Sequence, residues 1–125
     1  MEGQKITTQH CIKDTRGANI HHDIYKCIKD LKAQKVIVKV FEKTTFASKE
    51  LIQYLSCLCG RNDIVEFCGV CTDICVISNV LATRTELPNT KIVVDFDCCA
   101  GSSVDANNAA MWIFDSCNVE IESEM

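Results

Sequence analysis

The stretch Val65-Glu66-Phe67-Cys68-Gly69-Val70-Cys71-Thr72-Asp73-Ile74-Cys75-Val76 allows few folds, because it runs an apolar strand straight into a helix across a single glycine. Residues 64–68 are rich in β-branched and aromatic side chains, Gly69 permits a tight turn, and Thr72 stands where a helix N-cap belongs. On that register Cys75 is the third residue of the helix. A cysteine so placed meets unpaired backbone N–H groups and the positive end of the helix dipole, which favour thiolate over thiol. The corner therefore offers a nucleophile and anion-binding amides together.

A chain of 125 residues with 47% apolar content is long enough for one domain with a real core, and residues 1–125 are read as a single domain. The 13 basic and 17 acidic residues give a net charge of −4 without a Lys/Arg stripe, which argues against nucleic-acid binding. No apolar run reaches membrane-spanning length, and no signal-peptide core follows Met1, so a cytoplasmic protein without a membrane partner is expected. Ten cysteines could mean a secreted disulfide scaffold. They fall inside strand and helix patterns, however, and no Asn-X-Ser/Thr acceptor is present, so most read as small buried hydrophobes in a reducing compartment.

In chain order, residues 1–18 look irregular. Ile24, Cys27, Ile28 and Leu31 follow a helical period and predict a helix from about Asp23 to Lys32. Val36–Phe41 reads as a strand buried on both faces, and Ser48 with Glu50 opens a helix carrying Leu51, Ile52, Leu55 and Leu58. Ile64–Cys68 is the next strand, and a helix from Thr72 stops before Pro88. Ile92–Phe96 is a strand, and Gly101-Ser102-Ser103 starts a helix turning Ala106, Ala109, Ala110, Ile113, Phe114 and Cys117 inward. Val119–Ile121 is a short last strand. Strict alternation of strand and helix implies an α/β fold: three layers, a mostly parallel sheet, helices on both faces.

Chemistry in such sheets gathers at the carboxyl ends of the strands. Lys43, after the 36–41 strand, and the Cys71–Cys75 turn both fall there. An ammonium beside a thiol lowers its pKa, and a buried lysine can act as a base. A rival reading takes Cys68-Gly69-Val70-Cys71 as a C-x-x-C of a thiol redox or zinc-binding module. Its weakness is placement, since Cys68 lies in the strand body and not at the helix start.

Gly69-Val70-Cys71-Thr72-Asp73-Ile74-Cys75-Val76 resembles the signature of the isochorismatase-like cysteine hydrolases, the superfamily that includes nicotinamidases. Glu42-Lys43-Thr44-Thr45-Phe46 is similar to the segment that supplies their catalytic lysine, and His10-Cys11-Ile12-Lys13-Asp14 to the loop that gives a metal-binding histidine. Asp97-Cys98-Cys99-Ala100-Gly101 fits the turn after the strand that follows the nucleophile helix. The resemblance implies hydrolysis of a small amide by Cys75 with Lys43, an oxyanion hole made by the amides of Cys71 and Cys75, a cis peptide before Cys71, and Phe46 at the substrate. It implies no required cofactor, with His10 a ligand to zinc or another divalent metal if further ligands are present. Relatives are often homo-oligomers.

The resemblance also calls for an opening strand with the catalytic aspartate, a helix, and a second strand bearing more metal ligands, lying between the 36–41 and 64–68 strands. No counterpart precedes His10, where Glu2 is the only acid. The expectation is an N-terminally truncated fold lacking the opening strand-helix-strand, with weakened or absent activity, or a non-catalytic partner of a full-length relative.

Overall fold

The computed structural model describes residues 9–124, and its contacts divide the chain into two compact units, Met1–Thr44 and Thr45–Met125. The first unit holds a 3-10 turn, Arg16–Ala18, and helix α1, His22–Ala33. The helical period of Ile24, Cys27, Ile28 and Leu31 is realised within one residue of the expected bounds. Lys35, at φ 63°, ends α1 in a left-handed step, with the Val36 amide donating to Leu31 O at 3.0 Å and the Lys35 amide to Lys32 O at 3.0 Å.

The expected strand Val36–Phe41 does not form. Residues 36–41 join no ladder among the described residues, and Val36, Ile37 and Val40 are exposed. β-Branched residues make extended chain easy, but a strand exists only when a neighbour takes its N–H and C=O groups.

The second unit is built on a parallel sheet in the order β1, Ile64–Val70; β2, Lys91–Ala100; β3, Glu120–Glu122. Helix α2, Lys49–Leu58, precedes the sheet. A π-helical turn, Thr72–Val76, running into α3, Ile77–Glu86, crosses from β1 to β2, and α4, Val104–Ser116, crosses from β2 to β3. Ser48 and Ser103 cap α2 and α4: Ser48 Oγ accepts from the Leu51 amide and Ser103 Oγ from the Ala106 amide.

The core lies where α3 and α4 meet β2: Val76, Val80, Ile92, Val94, Ala110, Met111, Phe114 and Val119 pack together. Val93, buried like Ile92 and Val94, points by strand period to the opposite face, so β2 is covered on both sides as the middle strand of a three-layer α/β fold must be. The inward stripe of α4 is Ala110, Met111 and Phe114; Ala109 and Ile113, expected inward, are exposed, and so are Trp112 and the α2 residue Leu58. Helix α4 ends as α1 does, with Asn118 at φ 56° and the Val119 amide donating to Phe114 O at 3.0 Å. Across this end Arg84 reaches Thr90 O at 2.9 Å and Asn118 O at 2.6 Å, stapling the turn after α3 to the turn after α4.

Strand β2 runs longer than the sequence suggests. Phe67 pairs with Val94, but Gly69 pairs with Cys99 and Val70 with Ala100, so residues 95–98 bulge out opposite Cys68 before the ladder resumes. Asp97–Gly101 is therefore not a simple turn. Its first half is bulge, with Asp95 Oδ1 accepting from the Asp97 and Cys98 amides, and Cys99 and Ala100 return to the sheet.

Candidate active site

At the carboxyl end of β1 the chain turns on Gly69, whose φ of 127° is a conformation that L side chains rarely adopt. The Val70–Cys71 peptide is cis, as the family resemblance implies. Cys71, with extended backbone, is the N-cap residue, and the helix starts at Thr72. Thr72 is thus the first helical residue and not the cap, which moves Cys75 to the fourth position. The first turn is wide: the Cys71 carbonyl accepts from both the Ile74 and the Val76 amides at 3.1 Å. Such one-turn π segments recur at functional sites. Cys75 sits in it half-buried.

The two cysteines of the corner differ in character. Burial pushes the Cys71 thiol up, and the nearness of Asp73 and then Cys75 adds to the effect, so Cys71 stays protonated at neutral pH. What Cys71 can offer to chemistry is its backbone amide. Cys99, beneath the corner, is likewise pushed up by burial, and Cys98 by its bond to the Asp95 carboxylate.

Two side chains tie the corner to its surroundings. Asp73 accepts from the Ser102 amide at 2.7 Å and the Ser102 hydroxyl at 2.6 Å, joining the turn that leads into α4. That hydroxyl bond, above all, holds the Asp73 carboxyl below the usual carboxylate range. Gly101 makes this approach possible, because a Cβ there would lie 2.6 Å from Asn107 Cβ. On the other side the buried carboxamide of Asn79 donates to Cys75 O at 2.8 Å and to Phe46 O at 3.2 Å, and accepts from the Ser48 amide at 2.8 Å. Phe46 and Cys75 thus share one anchor. Nothing in the sequence patterning pointed to Asn79; a polar residue four positions after the cysteine, on the inward side of the helix, was the available signal.

The remaining sequence candidates lie in the first unit. Lys43 is exposed, in the irregular segment after residues 36–41. His10 is exposed, with Nδ1 3.3 Å from Cys11 Sγ. His21 and His22 lie with ring centroids 4.4 Å apart, because His21 stands outside the helix as its N-cap and folds back to accept from the Asp23 amide.

Residues 3–124 match the family model of the isochorismatase domain. The chain belongs to the isochorismatase family. Among solved structures it is similar to a nicotinamidase/pyrazinamidase from Bacillus subtilis, with a TM-score of 0.77 and 18% identity over 96% of this chain and 65% of that one. A nicotinamidase from Staphylococcus aureus gives a TM-score of 0.71 and 27% identity over 91% of this chain and 70% of that one. A pyrazinamidase from Pyrococcus horikoshii, solved in complex with zinc, gives 0.62 and 19% over 92% and 62%. The chain thus spans about two thirds of the length of these structures. No curated protein matches it significantly. The fold is that of an isochorismatase-like hydrolase related to nicotinamidases.

The zinc in one such structure makes the fit of a metal here worth testing. His10 belongs to no group of three ligating side chains among the described residues; the one such group is His21, His22 and Asp23, all exposed at the start of α1. Among the described residues, those around His10 therefore do not fit the ion.

Proposed function

We propose that this chain is a cysteine-hydrolase-type domain acting on a small carboxamide, with Cys75 as the nucleophile. The observation that carries the reading is the place of the half-buried residue Cys75 in the chain. This residue lies in a wide first helical turn at the carboxyl end of a parallel strand, where sheet folds of this kind gather their chemistry. In the proposed reaction Cys75 Sγ attacks the amide carbon, and the carbonyl oxygen takes up negative charge against the amides of Cys71 and Cys75. Collapse expels ammonia or an amine, leaving an acyl thioester on Cys75. Water then releases the carboxylic acid and restores the thiol. Lys43 is assigned the proton transfers by its correspondence with the family segment, and Phe46 the flank of the amide, consistent with its tie to the Cys75 turn through Asn79.

Among the described residues no strand precedes Lys43 to carry the aspartate that the family pattern adds. Turnover by these 125 residues is accordingly proposed to be slow. Ammonia release from nicotinamide tests the reading. Release by the parent chain that falls to background in both Cys75→Ala and Lys43→Ala supports it; release that persists in Cys75→Ala overturns it.

A further inference from the structure

We infer that Asn79 is a positioning residue that sets two parts of this site separately, the backbone of the nucleophile turn through Cys75 and the backbone beside the substrate through Phe46. The inference rests on the amide-hydrolase reading above and adds to it a residue that the cysteine and lysine motifs do not contain. A carboxamide has two N–H donors and one carbonyl acceptor, and at Asn79 all three are used: Nδ2 on Cys75 O and Phe46 O, Oδ1 on the Ser48 amide. That set fixes the orientation of the group. Turned over, its oxygen would face two carbonyls and its NH2 would face an N–H.

The location explains why such a clamp is needed. Where the π turn passes into α3 the carbonyls of Ile74 and Cys75 each take a side-chain donor from four residues on, Ser78 Oγ at 2.6 Å and Asn79 Nδ2 at 2.8 Å. Ser78 does only this. Asn79 is longer, and its remaining donor and its acceptor grip the start of α2, where Ser48 is buried and caps the helix. The segment from Phe46 to Ser48 is thereby held in register with the cysteine turn across 31 to 33 residues of chain.

The two functions of the amide can be separated by side-chain length. Asn79→Ser keeps a hydroxyl able to bond Cys75 O, as Ser78 bonds Ile74 O, but is too short for Phe46 and Ser48. Asn79→Ala loses everything. With both variants checked for folding by circular dichroism, two readouts are taken: steady-state hydrolysis of nicotinamide, and the rate of carboxamidomethylation of Cys75 by iodoacetamide, located by peptide mapping. The expectation for Asn79→Ser is a KM raised at least fivefold, with kcat and the alkylation rate within twofold of the parent. For Asn79→Ala it is a kcat lowered at least tenfold and a clearly slower alkylation. Thr83→Ala, also buried on α3 and outside the clamp, should leave both readouts unchanged. If Ser and Ala shift KM and kcat alike, or if Asn79→Ala alkylates at the parental rate, the inference is wrong. Should the parent not turn nicotinamide over, the function reading fails there while alkylation alone still decides on the clamp: Ser parental and Ala slow sustains it, both equal overturns it.

Discussion

Helices α1 and α4 end in the same way, yet the chain that leaves them meets opposite fates. Both close with a left-handed residue, Lys35 or Asn118, and with the next amide reaching back to the last turn, Val36 to Leu31 and Val119 to Phe114. Past Asn118 the chain buries Val119 and pairs β3 with β2. Past Lys35 an even more β-prone run, Val36-Ile37-Val38-Lys39-Val40-Phe41, stays out of any ladder among the described residues. The helix ending aims the chain; it does not make the strand. What decides is whether a backbone with open hydrogen-bonding groups lies where the chain is aimed.

The contrast can be broken by removing what each region rests on. Phe114 is fully buried, forms the hydrophobic contact with Val119 that accompanies this helix ending, and packs in the core around Ile92 and Val94. Phe114→Ala should cost about 3–5 kcal/mol in urea unfolding followed by circular dichroism. A loss below about 1 kcal/mol would mean that β3 is not anchored through this contact.

A smaller effect is expected from the tie between the cysteine corner and the turn after β2. The Ser102 hydroxyl bond lowers the Asp73 pKa in the folded state below its unfolded value. The associated stability is therefore present above the carboxylate range and is lost as pH falls through about 4 and below it. Asp73→Asn should flatten that part of the stability profile while leaving the profile above pH 6 parallel to the parent's. An unchanged acid limb would remove Asp73 from the account.

The smallest effect belongs to the other side of the contrast. Ile37 is 79% exposed, and Ile37→Ala should change stability by no more than about 0.5 kcal/mol. A cost of about 2 kcal/mol or more would show that residues 36–41 are buried in a ladder after all.

How much of this was legible in the sequence follows the range of the forces involved. Local signals were read correctly where local chemistry decides. Ser48 and Ser103 cap their helices, the period of Ile24 to Leu31 gives α1, and Gly69 marks the corner. Errors arose where the deciding partner is distant in sequence. The Val36–Phe41 run has strand chemistry but no ladder, and residues 95–98 bulge because Gly69 pairs with Cys99, three residues beyond where simple register puts it. On α4, Met111 in place of Ala109 faces the core, a rotation of the stripe that alanine-rich periodicity cannot fix. At the site, Cys71, Cys75 and the cis peptide lie in one local motif, and the structure places them together at the end of β1. The wide π turn that moves Thr72 out of the cap position left no mark in the local pattern, and the clamp of Asn79 on Phe46 left only a polar residue on the inward side of the helix.

The central claim is that Cys75, among ten cysteines, is the one presented for reaction with an amide substrate. Iodoacetamide at pH 7, with every cysteine followed by peptide mapping over time, tests it directly. The account predicts that Cys75 is labelled first, ahead of the more exposed Cys27 and Cys57, and that excess nicotinamide slows its labelling several-fold while leaving theirs unchanged. Labelling of Cys75 no faster than those two, or at a rate indifferent to the amide, would contradict it.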